Sequence, residues 1–266
     1  MPDDDELEEL AEVLAQLREG TAGLLCTAAD VDDASARAPS LLGGWSRGHL
    51  LTHLARNADS HVRRLAGAVE GRVVPQYEGG RAARNAAIEA GATRDAAEIL
   101  ADLVAACEGL DAALAAFPKD RWDAEVEREY ASAPASSLPF TRVMEVEVHH
   151  ADLGLAFTSG DWPLAFVDRA LAYTMERMSP RVAETSGSAA SWHLHRTDGE
   201  GEWLIARSPG GTTITVEHAK GDCAVRGPGH GLLAWLMGRR GIESAGLEVF
   251  GDAMLAAELP VLYPYG

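Results

Sequence analysis

The chain has 266 residues, nearly half of them apolar, enough for one large domain or two ordinary ones with substantial cores. Its formal net charge of −18 opposes nucleic acid or an anionic membrane as the main partner, because both would repel it. No run of about 18 apolar residues is present, so no transmembrane helix is expected.

The acidic start, M-P-D-D-D-E-L-E-E-L, lacks the basic-then-apolar pattern of a secretory signal. The three cysteines, Cys26, Cys107 and Cys223, have no CxxC spacing, which argues against a disulfide framework and against a thiolate zinc site. A cytoplasmic location is expected.

In chain order, Leu7, Leu10, Leu14 and Leu17 recur at helical spacing, which predicts a first helix over 4–28. Gly20 and Gly23 are expected to weaken its last turns. Residues 29–45 read as a connection, with Pro39 and the turn pair Gly43-Gly44. Ser46 is the expected N-cap of a second helix reaching Ala68. On that helix Ser46, His49, His53, Asn57 and Ser60 fall along one line, and Leu50, Leu54, Val62 and Leu65 supply the apolar surface. Residues 76–92 read as a polar loop with a short helical piece. Ile99, Leu103, Leu110 and Leu114 predict a third helix over 95–117, stopped by Pro118. Residues 119–138 read as an extended linker.

The stretch F-T-R-V-M-E-V-E-V-H-H-A-D-L-G-L, residues 140–155, packs Glu145, Glu147, His149, His150 and Asp152 among large apolar residues. An unpaired buried charge is costly, so that side of the segment either faces water or binds something. The apolar positions fit a helix. The alternation of Met144, Val146 and Val148 with Glu145, Glu147 and His149 also fits a strand. Three preceding helices favour a fourth, over 139–157, because a lone strand would lack a partner. In a helix, Glu145 and His149 are one turn apart and can grip one metal ion, and an open catalytic site wants about one ligand more. The polar line of the second helix offers His49 or His53 for it. Residues 163–182 predict a further helix. From Ser191 the character changes to short β-type runs, with a helix over 229–239 and a strand over 247–250. The fold class is therefore α+β, with a helical bundle over 1–183 and a smaller α+β domain over 184–266.

The run G-G-W-S-R-G-H-L-L-T-H-L-A-R-N-A-D, followed later by R-V-M-E-V-E-V-H-H-A-D-L-G, resembles the mycothiol-dependent maleylpyruvate isomerase family. So does the C-terminal part, through G-P-G-H-G-L-L-A-W-L-M-G-R-R and L-E-V-F-G-D. The resemblance implies a DinB-like metal-binding four-helix bundle, a sterol-carrier-like C-terminal domain, and His53, Glu145 and His149 as ligands of zinc or another divalent metal. It is the resemblance that favours His53 over His49. Glu147 and His150 would point elsewhere, serving packing or supporting the ligands from behind, and Asp152 and Asn57 are the candidates for orienting His149 or His53.

By the same resemblance, the metal would activate mycothiol, a low-molecular-weight thiol, for addition to the cis bond of maleylpyruvate. Rotation and elimination would then give fumarylpyruvate. The chain's own cysteines would take no part, and Cys107 reads as a small core residue. A dianionic substrate in so acidic a chain needs local cations. Arg239 is assigned to the thiol, with Arg240 as a further cofactor-binding residue and Arg226 as an alternative. The competing readings are a thiol S-transferase working on an electrophile and a non-enzymatic metal- or lipid-binding protein.

Overall fold

The computed structural model describes residues 4–128, 131–183 and 188–262. The first three residues of the acidic start, residues 129–130 of the expected linker and residues 184–187 at the expected domain boundary lie outside the described residues. The chain divides into two compact units, 1–156 and 157–266.

The first unit is a four-helix bundle of α1 (Asp4–Ala29), α3 (Arg47–Val69), α5 (Ala96–Ala115) and α6 (Ser137–Asp152). Each helix packs on two others, in the ring order α1, α5, α3, α6. The short α2 (Asp33–Arg37) lies between α1 and α3, and α4 (Gly80–Ala92) packs on α3. Residues 80–92 thus form a helix of three and a half turns where the sequence predicts mostly loop. Its Gly-rich, alanine-heavy stretch carries little periodic apolar signal, and its interior-facing residues are Ile88, Gly91 and Ala92. The linker expected over 119–138 contains a hairpin of β1 (Glu125–Arg128) and β2 (Ala131–Pro134).

Ser46 caps α3 as its residue type predicts. Its side chain accepts from the His49 backbone N–H, while His49 Nδ1 accepts from the Ser46 N–H in a capping box. The polar line of α3 faces inward beyond that first turn: His53, Asn57, Ser60, His61 and Arg64 are all buried. Arg47 donates to the Leu153 carbonyl, His53 meets Glu145, and His61 lies by Thr141, so α3 and α6 run antiparallel.

Gly20 has a different role from the weakening expected of it. A Cβ there would stand 2.5 Å from Glu147 Oε1, so its lack of a side chain lets α1 approach α6. Beside it Glu147 is buried, and burial pushes its carboxyl up to about 7.

The second unit holds a five-stranded sheet in the order β5-β4-β3-β6-β7, comprising β3 (Ala190–Arg196), β4 (Glu202–Ser208), β5 (Gly211–Val216), β6 (Cys223–Gly227) and β7 (Glu248–Gly251). β3 and β6 are parallel, and the other neighbours are antiparallel. Helix α7 (Leu164–Ala183) packs on β5 and on α8 (Gly229–Leu236), and α9 (Ala253–Leu262) packs on β6, β3 and β7. The division by packing therefore falls after Ala156, where the sequence places it at 183. The apolar stripe of α7, with Phe166, Val167, Ala170, Leu171 and Met175, serves the sheet unit, and helical periodicity alone cannot say which core a stripe fills. Trp192 is fully buried, and its Nε1 donates to the Leu255 carbonyl, fastening α9 to β3.

One ion-pair network ties the bundle. Asp102 on α5 accepts from Arg56 on α3 at 2.7 Å and from Arg94, which follows α4, at 2.5 Å. Burial would raise the Asp102 carboxyl, but the hydrogen bonds and charges of the two arginines outweigh it and lower its pKa. A depressed carboxylate contributes stability above its unfolded pKa and loses it as pH falls through the folded value. Asp102→Asn should therefore destabilise the protein by about 1–3 kcal/mol at pH 7 in urea unfolding. The gap to the wild type should close below about pH 4, as Asp102 itself becomes protonated.

Candidate metal centre

The helix assignment of 140–155 places Glu145 and His149 one turn apart on α6, and the antiparallel α3 brings His53 against them. His53 Nε2 lies 2.9 Å from Glu145 Oε2, and His149 Nε2 lies 3.4 Å from the same oxygen. One ligand atom from each residue falls within 4.8 Å of the other two, an arrangement that could hold a metal ion. The two imidazoles meet edge to face at 5.0 Å. His53 is buried, while Glu145 and His149 are half-buried, their side chains 28% and 12% exposed, which leaves the cluster reachable from solvent on one side.

The charge states of His53 and Glu145 suit ligation. Burial lowers His53 to about 4, so its imidazole is neutral at pH 7. Burial would raise Glu145, but hydrogen bonds from His149 and His53 hold it well below the usual carboxylate range, so it is ionised. Burial would lower His149, but its hydrogen bonds with Asp152 and Glu145 raise it. Asp152 is buried and its Oδ2 lies 3.0 Å from His149 Nδ1, which fixes the ring and leaves Nε2 facing Glu145.

His49 and His53, equivalent by spacing alone, are separated by their surroundings. His49 Nδ1 is spent on the N-cap of α3, and its Nε2 faces Glu89 at 3.3 Å. His53, one turn deeper, meets α6. Glu147 and His150 lie on the α1 side of α6, with His150 Nε2 2.7 Å from Thr27 Oγ1. Asn57 does not orient either imidazole: its Oδ1 accepts from Arg142, and its carbonyl receives His61 Nδ1. Arg142 is itself fully buried, donating also to the Leu54 carbonyl, with Cys107 Sγ 3.7 Å from its other nitrogen. Cys107 is buried on α5 as expected, and burial pushes its thiol up, against the charge of Arg142.

Arg84, on α4, is a neighbour of the centre that spacing within α3 and α6 does not reveal. Its Nη2 donates to His53 Nδ1 at 3.0 Å, and its guanidinium lies over the rings of Trp45 and Tyr77 at 5.8 and 5.6 Å. Trp45 also stands against His53, with centroids 5.4 Å apart. The G-G-W motif and the arginine of R-N-A-A-I could have flagged both residues only if α4 were known to fold back onto α3. With Nδ1 accepting, the proton of neutral His53 sits on Nε2 and is donated to Glu145. Arg239 and Arg240 lie in the second unit, just after α8. Arg239 Nη1 donates to the Met237 carbonyl and Arg240 Nη1 to the Ser244 carbonyl. Arg226 on β6 lies 4.0 Å from Glu248.

A helix bundle with two imidazoles and a carboxylate gathered between antiparallel helices, followed by a small sheet unit, defines a class of candidate metalloprotein. Residues 17–154 match the family described as "Mycothiol maleylpyruvate isomerase N-terminal domain", and residues 161–258 match the "MDMPI C-terminal domain". The chain belongs to the mycothiol maleylpyruvate isomerase family. Among solved structures it is similar to the mycothiol-dependent maleylpyruvate isomerase, at 26% identity and a TM-score of 0.74, over 90% of this chain and 92% of the other. A histidine-to-alanine mutant of that enzyme matches with the same identity, coverage and TM-score. No curated protein matches the chain. Among the described residues, no helix is long and apolar enough to cross a membrane.

His53→Ala and His149→Ala should each lower the zinc content by one equivalent per chain relative to the wild type, read by elemental analysis of the dialysed protein. Asp152→Asn should weaken zinc binding by about 10–100-fold while keeping the fold, as loss of an orienting partner does. Arg84→Ala should tighten zinc several-fold, because it removes a cation from the centre and frees His53 Nδ1 to carry the proton that a ligating Nε2 must give up.

Proposed function

We propose that this protein is a metal-dependent, mycothiol-dependent isomerase acting on maleylpyruvate or a closely similar cis-unsaturated acid. The observation that carries the reading is the convergence of His53, Glu145 and His149, inside the region that matches the family's N-terminal domain. The family membership supports a low-molecular-weight thiol and a small-molecule substrate, and the isomerase of known structure supports an enzymatic role.

In this reading His53, Glu145 and His149 hold one divalent ion, with zinc the first expectation for a two-imidazole, one-carboxylate set. When bound, such an ion supplies a Lewis acid that lowers the pKa of a coordinated thiol, and the thiol supplies a nucleophile that adds reversibly to a cis double bond. The protein's own residues prepare the place for that chemistry. Burial keeps His53 uncharged at pH 7, so only its single Nε2 proton has to be displaced for that nitrogen to ligate. Glu145 contributes the one negative charge, leaving the centre with a net positive charge that attracts an anionic reactant. Asp152 sets the His149 ring. Trp45 walls one side of His53, and Arg84, held between Trp45 and Tyr77, places a guanidinium beside the cluster where a carboxylate of the substrate can be received.

Arg239 is proposed as the second-unit cation that engages the thiol, with Arg240 beside it. Both have backbone carbonyl partners within their own unit, so the assignment rests on the family resemblance and on their charge.

The deciding assay offers the zinc-loaded protein maleylpyruvate, with and without mycothiol, and in parallel one unrelated electrophile. Isomerisation should appear only with the thiol. His149→Ala should lower the rate at least about a hundredfold, in line with loss of a metal-site contact. Consumption of the electrophile without isomerisation would instead make the protein a thiol S-transferase. Arg239→Ala should raise the thiol concentration needed for half-maximal rate while leaving zinc content unchanged, and an unaltered thiol dependence would remove Arg239 from the site. Arg84→Ala should raise KM for the dianion more than it lowers kcat, as loss of a binding contact shared by ground and transition states does.

A further inference from the structure

The sheet unit gathers a second set of metal-ligating side chains that the first site does not use. On β3, His193 and His195 are two residues apart and so point to the same face. Glu202 on β4 stands directly opposite His195 in the antiparallel register, on that same face. His218 follows the end of β5 by two residues and returns to the cluster.

The convergence is close. His193 Nε2, His195 Nδ1 and His218 Nδ1 lie 2.9, 2.8 and 2.5 Å from one atom, Glu202 Oε1. One ligand atom from each of the four residues falls within 4.8 Å of all the others. The rings of His195 and His218 meet that of His193 edge to face, at 6.1 and 5.6 Å. The side chain of His193 is nine-tenths buried, and its Nε2 makes no hydrogen bond although it lies 2.9 Å from the carboxylate. A buried ring nitrogen without a hydrogen bond is costly and calls for a partner. Three imidazoles crowded round one carboxylate oxygen would repel one another if charged, and a small cation among them would take one lone pair from each residue.

We infer that the sheet unit carries a metal site of its own, in which His193, His195, Glu202 and His218 bind one divalent cation of the zinc class. Three imidazoles and one carboxylate supply all four corners of a tetrahedral site and leave no open position, the composition of a structural rather than a catalytic centre. Its effect is to clip the segment after β5, from which the exposed His218 projects, onto β3 and β4. The inference does not depend on the isomerase reading, because it shares no residue with the first site.

The test uses the full chain with the first site removed by His53→Ala and His149→Ala, stripped of metal and titrated with Co2+. The visible absorption of cobalt reports tetrahedral coordination, and competition with Zn2+ gives the zinc affinity. One equivalent of tetrahedral cobalt is expected. Adding His218→Ala, a surface change that should spare the fold, or Glu202→Gln, should weaken binding at least about tenfold. His195→Ala together with His218→Ala should remove the absorption bands, with circular dichroism confirming that the sheet persists. Zinc should also slow amide hydrogen exchange over 217–222 in the parent of this series and not in the doubly substituted protein. Cobalt uptake that is absent from that parent, or equal with and without His195 and His218, overturns the site.

Discussion

A carboxylate shared between two imidazoles inside a helix bundle is the contact around which the first unit is arranged. Glu145 meets both His53 and His149, and the protein around it strips away most of the water that would otherwise solvate the charge. Such a group is tolerated only when its partners are fixed. The fixing extends outward in both directions. Asp152 holds His149 from below, and Arg84 holds His53 from α4. Further along the same helix pair, Arg142 is locked into α3 by Leu54 and Asn57. The seam between α3 and α6 is therefore a polar strip inside an apolar bundle. Its register is set by hydrogen bonds that cannot slide by a turn without stranding a charge.

That constraint also explains the close approach of α1. The face of α6 opposite the seam carries Glu147 and His150, and both are buried against α1. Gly20 leaves room for the Glu147 carboxyl, and Thr27 meets His150. A carboxyl in that apolar setting has its pKa raised by desolvation, the opposite of what its neighbour Glu145 experiences two residues away. One helix thus holds two glutamates whose pKa values are pushed in opposite directions by the partners that each face of α6 meets.

The sheet unit reaches a comparable gathering of ligands by a different periodicity. A helix brings residues one turn apart to a common face, and the bundle obtains its third ligand from a second helix. A strand does the same with residues two apart, and the cross-strand register supplies Glu202 opposite His195. The opposite face of β3 carries Trp192 and Leu194 into the core, while Trp203, Ile205 and Arg207 line the matching face of β4. One face is packed by apolar bulk, and the other is free to hold polar groups.

Most of the architecture is legible in the amino-acid order because it follows from local rules. Leucine periodicity marks α1, α3 and α5. Ser46 marks the start of α3, and the short β-type runs after Ser191 mark the sheet unit. The pair Glu145 and His149 is equally local, one helical turn apart. What tertiary structure alone decided was which distant groups meet these elements. Spacing cannot separate His49 from His53, and the capping of α3 consumes the first while the approach of α6 engages the second. Nor can spacing assign α7 to a core: its apolar stripe fits either unit and packs with the sheet. The same limit hid Arg84 beside His53 and His218 beside Glu202, because contacts between residues far apart in sequence depend on how whole elements pack, and no local pattern of residue types encodes that.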